Sequence, residues 1–306
     1  MSTGSGGRGG GMNHRPFGKK DLFEPERAWC HPPASREGDD QVRADRLTLL
    51  IRDLADAGPG SAVVAISPHL DDAVLSCGAL LAQLAGQHRV TVATVFTAAA
   101  PRPWSLPARK QLRALGGVDA EDFFAQRRAE DAEVLAGLGA AAVHLGFRDA
   151  LFRRGRRGPA YPVFRFDAAR GRVASCDAGL AAEVSAEASA RGGAIARAGE
   201  GGVIFAPLGI GRHVDHLITR QAAGQLGGPA RIVYYSDFPY SQRAGPDPRF
   251  VRRAGLVPHP WLRGRAENAS RIAGYRTQFA GLFRDGRVPT CPEVYWIAAN
   301  DSATAA

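Results

Sequence analysis

Two short segments of the sequence combine histidine and aspartate at spacings that suit a metal ion. In the first, His69 is followed by Leu70, Asp71 and Asp72. About one helical turn separates His69 from Asp72, so the two side chains would return to the same side of the chain. Imidazole nitrogen and carboxylate oxygen are both ligands that zinc accepts. Asp71 lies between them and would be free to act as a base on a water molecule beside the metal.

The second segment places His213, Val214, Asp215 and His216 in a row. Either histidine could complete a set of three protein ligands, which leaves an open position for water or a substrate carbonyl. The other histidine would then serve catalysis, and Asp215 could hold an imidazole N–H and fix its tautomer. Each segment alone is a weak indication, because acidic residues after strands often only cap helices. Together they predict a metal-dependent hydrolytic site.

Both segments follow runs that are typical of buried strands. Residues 62–67 and 202–206 are rich in Val, Ile and Ala. Apolar spacing predicts helices at 43–57, 72–87, 122–138, 178–197, 213–226 and 267–283, and further strands at 89–97, 141–145 and 231–235. This alternation predicts a single-domain, Rossmann-like α/β fold with a mostly parallel sheet and helices on both faces. Ligands of such a sheet bind beyond the carboxyl ends of the strands, where both motifs lie.

Two segments between these elements are predicted to be irregular. Residues 98–117 contain three prolines, which interrupt regular structure. After Asp149 comes a segment with four closely spaced arginines: Arg153, Arg154, Arg156 and Arg157. These arginines could receive a phosphate or carboxylate group. The high arginine content of the whole chain favours the simpler interpretation of a solvated loop.

The 306 residues suffice for one large α/β domain. We expect a flexible Gly-rich segment over residues 1–40, in which Met12 could be the true start, one domain over 41–300 and a tail over 301–306. The four cysteines are far apart, so neither disulfides nor a thiolate zinc site are indicated. Because no export segment and no apolar run of about 18 residues occurs, we expect a cytoplasmic protein without a membrane span.

The net charge of +9 raises the question of a nucleic-acid partner. All but three of the 39 basic residues are arginine, a bias that is typical of GC-rich genomes. The arginines are scattered and are not interleaved with aromatic residues. We therefore expect a small-molecule substrate and no nucleic acid.

Further segments give the chain a resemblance to a known family. They are residues 127–130 leading into Leu138 and Gly139, residues 145–149, and the closing segment 292–296. With the two motifs, they resemble PIG-L/LmbE-type deacetylases over most of residues 60–298. The resemblance implies a zinc-dependent amidohydrolase that removes N-acetyl groups from N-acetylglucosamine-containing molecules. It implies one zinc ion per chain, although another divalent metal would also fit.

The resemblance also assigns roles to residues of the two motifs. It implies three zinc ligands: His69, Asp72 and His216. Asp71 would be the general base, and His213 would stabilise or protonate the tetrahedral intermediate, with Asp215 behind it. Whether Asp71 or His213 protonates the leaving amine is open. Arg127 and Asp149 fall where the family contacts the substrate sugar, but Arg127 with Glu130 is also typical of a charge pair on a helix surface.

The chain departs from the family pattern at three positions. Leu70 and Ala73 replace the proline and glutamate of the usual HPDDE form of the first motif. Gly211 stands where some members have a tyrosine. Any hydrogen-bond donor that this tyrosine supplies must come from elsewhere in this protein.

The variant first motif and the GC-rich composition resemble actinobacterial members that deacetylate secondary-metabolite glycosides. This implies a precursor of an aminoglycoside or glycopeptide antibiotic. A polycationic aminoglycoside would favour acidic contacts, for which Asp149, Asp237 and Glu293 are candidates. One alternative is a deacetylase of a thiol-sugar or a lipid-linked N-acetylglucosaminide. Another is a non-catalytic sugar-binding protein, which the complete ligand set disfavours.

Overall fold

The structure, a computed structural model, describes residues 37–299 with short gaps at 57, 59–60, 115, 117–118, 163–167, 169–170, 192–201 and 227–230. The expectations for Met12, for most of the segment 1–40 and for the tail 301–306 lie outside the described residues. Within them, no helix is long and apolar enough to cross a membrane.

The strands form one large sheet and one small ribbon. In chain order they are β1 (Ala62–Ser67), β2 (Arg89–Ala98), β3 (Ala140–Arg148), β4 (Arg154–Gly155), β5 (Gly158–Pro159), β6 (Val203–Pro207), β7 (Arg231–Tyr235), β8 (Leu256–Trp261) and β9 (Glu293–Ala298). The large sheet has the order β3-β2-β1-β6-β7-β9-β8. Its first five strands are parallel, whereas β9 is antiparallel to both β7 and β8. The predicted mostly parallel sheet is confirmed, and the antiparallel edge is new.

Helices cover both faces of this sheet. They are α1 (Glu37–Asp56), α2 (Asp72–Ala85), α3 (Leu106–Ala114), α4 (Ala120–Leu138), α5 (Leu180–Arg191), α6 (Val214–Gln225), α7 (Pro248–Arg253), α8 (Arg265–Ile272) and α9 (Arg276–Leu282). Successive side chains of β1 alternate between two cores. Val63 packs with residues of α1, α2 and α4, whereas Val64 packs with residues of α5 and α6. Burial on both faces explains why β1 reads as a continuous apolar run.

Two predictions about local structure are wrong. Residues 98–117 contain the helix α3, because Pro107 lies in its first turn, where a missing N–H costs no hydrogen bond. The single helix predicted at 267–283 is two helices, α8 and α9, with Gly274 between them. A Cβ at Gly274 would lie 2.5 Å from Cγ2 of Val134, so the chain approaches α4 too closely there for a side chain.

The cysteines differ in their state. Cys77 is a buried free thiol and Cys176 is an exposed one. Cys291 is disulfide-bonded, a cross-link that the spacing of the cysteines did not indicate.

Helix α2, which starts at Asp72, is kinked in the middle. Cys77 has a non-helical φ of −144°. Just after this residue, the carboxylate of Glu293 accepts hydrogen bonds from the backbone N–H groups of Ala79 and Leu80, at 2.7 and 3.1 Å. Glu293 therefore caps the second half of the helix as an N-terminal acceptor would.

Replacing Glu293 by alanine should lower the free energy of unfolding by about 3 kcal/mol, because it leaves buried donors without a partner. Besides the two backbone groups, these are the hydroxyl of Tyr295 at 2.7 Å and Nη1 of Arg265 at 3.2 Å. Urea denaturation measures the change. Glu133→Ala, which removes an exposed partner of Arg276, is the control and should cost less than about 0.5 kcal/mol. Equal losses in the two variants would contradict the capping role.

Candidate metal and active site

The two predicted motifs meet where the strand order reverses. From β1 the sheet continues to β2 and β3 on one side, and from β6 it continues to β7 on the other. His69 follows the end of β1, and the segment 213–216 follows the end of β6. Since β1 and β6 are parallel neighbours, their carboxyl ends lie side by side. Loops that diverge at such a reversal leave a crevice for a ligand.

Three side chains converge on this crevice. Nδ1 of His69 lies 3.0 Å from Oδ2 of Asp72, and Nε2 of His216 lies 3.3 Å from the same oxygen. One possible ligand atom from each of the three residues lies within 4.8 Å of the others. Nε2 of His216 is buried and has no hydrogen-bond partner among the described residues. An unsatisfied buried nitrogen beside a carboxylate and a second imidazole fits a metal ligand.

Each of these histidines has a carboxylate at its other ring nitrogen. Oδ2 of Asp215 lies 3.1 Å from Nε2 of His69, and Oδ1 of Asp237 lies 2.7 Å from Nδ1 of His216. A carboxylate accepts the N–H of a neutral imidazole and so leaves the remaining nitrogen as the metal-binding atom. The arrangement fits a metal held by Nδ1 of His69, Oδ2 of Asp72 and Nε2 of His216.

A second group, formed by His69, His213 and Asp215, also brings possible ligand atoms within 4.8 Å of one another. The Asp215 carboxylate is already engaged, because it lies 2.6 Å from Nη2 of Arg153 and accepts the N–H of Ala150 at 3.1 Å. Nδ1 of His213 accepts the N–H of Asp215 at 3.3 Å. These contacts favour the group that contains Asp72 and His216.

The charges of the proposed ligands depend on one another. Burial acts to raise the pKa of Asp72, but His216 and His69 hold it well below its usual range. Burial acts to lower the pKa of His216, but Asp72 and Asp237 raise it to about 9. The pKa of His69 is also raised, against the effect of burial, by Asp215 and Asp72. Without a cation the cluster therefore retains protons, which a bound metal would displace.

Asp71 lies next to these ligands in a different environment. Burial raises the pKa of its carboxyl group to about 7, although the positive charge of Arg127 opposes this. Nη2 of Arg127 lies 3.5 Å from Oδ1 of Asp71. A carboxyl group that titrates near neutral pH can both accept and return a proton.

His213 is buried beside the other two imidazoles. Its ring centroid lies 5.3 Å from that of His69 and 5.6 Å from that of His216. Burial lowers the pKa of His213 to about 3. Nδ1 accepts the backbone N–H of Asp215, whereas the Asp215 carboxylate lies against His69, so this carboxylate supports His69 and not His213 as the resemblance implied. The neutral ring of His213 therefore carries its proton on Nε2. His213 can therefore donate a hydrogen bond while it remains uncharged.

Arg127 faces the site and not the solvent. Only 7% of the residue is exposed, and its Nε has no hydrogen-bond partner in the part of the chain that the structure describes. The surface pair with Glu130 is not formed, since Glu130 instead accepts hydrogen bonds from the backbone N–H and the hydroxyl of Thr277, at 3.1 and 2.7 Å. The interpretation of Arg127 as part of a helix-surface charge pair is wrong.

The three acidic residues considered for a cationic substrate differ in position. Oδ2 of Asp149 lies 3.7 Å from Nε2 of His69, so this side chain borders the site. Asp237 and Glu293 are 0% and 3% exposed and are bound to protein groups. They are buried supporting residues, which contradicts their expected contact with substrate.

Sequence reasoning missed Tyr240. Its ring packs edge-on against His216, with centroids 5.3 Å apart. Gly211 has a φ of 80°, and a Cβ there would lie 2.5 Å from Cδ1 of Tyr240. A glycine at 211 thus makes room for Tyr240 beside the site. Asp237 was also missed as a partner of His216, although its place just after β7, at a third parallel carboxyl end, is a signal that could have located it.

Residues 64–226 match the family model PIG-L, described as GlcNAc-PI de-N-acetylase. A 2'-N-acetylparomamine deacetylase from Streptomyces fradiae is 37% identical over 201 residues, which cover 63% of this chain and 63% of that protein. The match therefore spans less than two thirds of that relative. A protein of the same name from Niallia circulans is 25% identical over 265 residues, covering 78% of this chain and 90% of that one.

Solved structures of deacetylases are also similar to this chain. A deacetylase–teicoplanin complex from the biosynthesis pathway of teicoplanin is 26% identical with a TM-score of 0.62, covering 77% of this chain and 97% of that one. The zinc-inhibited form of a teicoplanin deacetylase is 26% identical with a TM-score of 0.61, covering 78% and 99%. The family match extends over more than half of the chain and includes both motifs. The chain therefore belongs to the PIG-L family of de-N-acetylases.

Proposed function

We propose that this protein is a zinc-dependent N-deacetylase that acts on an N-acetylated amino sugar of an antibiotic precursor. The observation that carries the proposal is the convergence of His69, Asp72 and His216 on one point, with Asp71 beside it. Two relatives are named for 2'-N-acetylparomamine and two solved structures for teicoplanin. These names support an aminoglycoside or glycopeptide intermediate as the substrate.

The metal would be held by the three ligand atoms described above, with one ion per chain. When bound, zinc would act as a Lewis acid that polarises the amide carbonyl and makes water more acidic. Because one related structure is described as a zinc-inhibited form, activity should be compared with zinc and with other divalent ions over a range of concentrations.

Side chains beside the metal would transfer the proton and stabilise the developing charge. Asp71 would accept a proton from the water that attacks the amide carbon. Nε2–H of His213 would donate a hydrogen bond to the carbonyl oxygen as that oxygen gains negative charge. As the C–N bond breaks, Asp71 would return its proton to the leaving amine. Asp215 would orient His69, and the products would be acetate and a free amino sugar.

Arg127 and Asp149 are proposed to contact the sugar. Replacing Arg127 by methionine should raise KM by about tenfold or more, because charge-assisted hydrogen bonds to sugar hydroxyls are lost. Steady-state kinetics with the preferred substrate measure this. The adjacent Arg128, bound to the carbonyl of Thr97 and to Glu121, provides the control, and Arg128→Met should leave KM unchanged. An unchanged KM for the Arg127 variant would rule out the sugar contact.

The proposed function is tested by mass spectrometry on a panel of N-acetylated substrates. The panel contains 2'-N-acetylparomamine, a glycopeptide with an N-acetylated sugar, an N-acetylglucosaminyl thiol-sugar and a lipid-linked N-acetylglucosaminide. We expect loss of one acetyl group from one of the first two, and no detectable loss with the Asp71→Asn variant in the same reaction time. Loss only from the thiol-sugar or the lipid-linked compound would favour that alternative, and loss from none would refute the proposal.

A further inference from the structure

Arg153 is the buried member of the arginine-rich segment. Its side chain is 8% exposed, whereas Arg154, Arg156 and Arg157 are exposed on the β4–β5 ribbon. Nε of Arg153 lies 2.8 Å from Oδ2 of Asp177. Nη2 lies 2.6 Å from Oδ1 of Asp215, and Nη1 donates to the carbonyl of Arg148 at 3.0 Å. The guanidinium therefore joins three separate segments of the chain.

The surroundings of this guanidinium fix its position. Cζ of Arg153 lies 4.9 Å from the ring centroid of Phe96 and 5.4 Å from that of Tyr161. The hydroxyl of Tyr161 donates to Oδ2 of Asp177 at 2.7 Å, so the outer ion-pair partner is itself held in place. A planar group held at its edges by carboxylates and beside its faces by aromatic rings has little freedom to move.

The carboxylate of Asp215 connects Arg153 to the site. Its Oδ1 faces Arg153, and its Oδ2 lies 3.1 Å from Nε2 of His69. We propose that Arg153 is a positioning residue, which fixes the Asp215 carboxylate against Nε2 of His69 and thereby directs Nδ1 of His69 to the metal. This inference rests on the metal-binding role proposed for His69.

The other histidine, His216, is positioned by a carboxylate that the main chain holds. Replacing Arg153 should therefore affect the support of His69 and not that of His216. Asp237, the partner of His216, accepts the backbone N–H of Ile210 at 2.8 Å, so its orientation depends on main chain. Asp215 depends on a side chain as well as on the N–H of Ala150. Without Arg153, the Asp215 carboxylate is no longer anchored on its far side and can turn away from His69.

The test is metal affinity, measured by competition with a chromophoric chelator and by the absorption spectrum of the Co²⁺-loaded protein. Arg153→Met should weaken Zn²⁺ and Co²⁺ binding by about 10- to 100-fold and alter the Co²⁺ d–d bands. Arg153→Lys should give an intermediate loss, because a single ammonium cannot match the guanidinium fork. Arg154→Met, at the neighbouring exposed arginine, should bind both metals as the wild type does.

Circular dichroism and the melting temperature check that each variant is folded. If Arg153→Met does not fold, the test uses Arg153→Lys and Asp177→Asn, which loosen the same fork and should each give the intermediate loss of metal affinity. Metal affinity and Co²⁺ spectra equal to wild type in the folded variants would overturn the role of Arg153 and leave the proposed function intact. Absence of metal binding by the wild type would instead refute the proposed metal-dependent function, and the inference with it.

Discussion

Replacing Asp71 by asparagine should lower kcat by about 10³-fold and leave the bound metal unchanged. Asparagine has nearly the same shape but cannot accept a proton, and a positioned base contributes roughly 10²- to 10⁴-fold. The Asp71 carboxylate is not among the converging ligand atoms, so metal content should stay at that of the wild type. Steady-state kinetics and elemental analysis of the same preparation measure both quantities.

The control for this variant is Asp285→Asn. Asp285 is exposed, and its carboxylate accepts only a local hydrogen bond from the N–H of Arg287 among the contacts of the described chain. This change should leave kcat as it is. If the Asp71 variant kept its activity, Asp71 would not be the base, and if it lost the metal, Asp71 would have to be counted among the ligands.

Replacing His216 by alanine should remove both metal and activity. We expect a fall in kcat/KM of about 10⁴-fold, because one of three protein ligands is lost and the Lewis acid leaves with it. In the wild type, metal should raise the melting temperature, since a ligand that binds only the folded state stabilises it. In the His216 variant this rise should disappear.

His144→Ala is the matched control for the loss of a histidine. His144 lies 2.8 Å from a carboxylate, that of Asp131, but outside the proposed ligand set. This variant should keep its metal and its metal-dependent rise in melting temperature. A His216 variant that still bound metal as tightly as the wild type would exclude His216 as a ligand.

The parts of this protein that could be predicted are those that depend on short sequence patterns. The apolar run 62–67 and the helical spacing after Asp72 predict β1 and α2, and the structure has both. Because parallel strands place their carboxyl ends at one edge, the sequence also predicted that His69 would meet the segment 213–216. No long-range information was needed for these predictions beyond the rules of parallel sheets.

The parts that could not be predicted depend on contacts between distant residues. Arg153 differs from Arg154 only in what packs around it, since Phe96 and Asp177 come from other segments. The kink at Cys77 needs Glu293, whose carboxylate lies over 200 positions later in the chain. The sequence around Arg153 or Cys77 carries no trace of these distant partners, so the periodicity of a short segment cannot reveal the contacts.

The reversal of strand order determines when the site can form during folding. His69 and Asp215 are 146 positions apart, and they meet only when β6 has been added beside β1. A metal ion bound by His69, Asp72 and His216 would therefore cross-link two distant stretches of chain. During synthesis, the segment with His69 and Asp72 emerges long before the segment with His216. His69 and Asp72 alone cannot hold the ion in the geometry of the completed site. Stable binding of the metal would thus indicate that β6 has paired with β1.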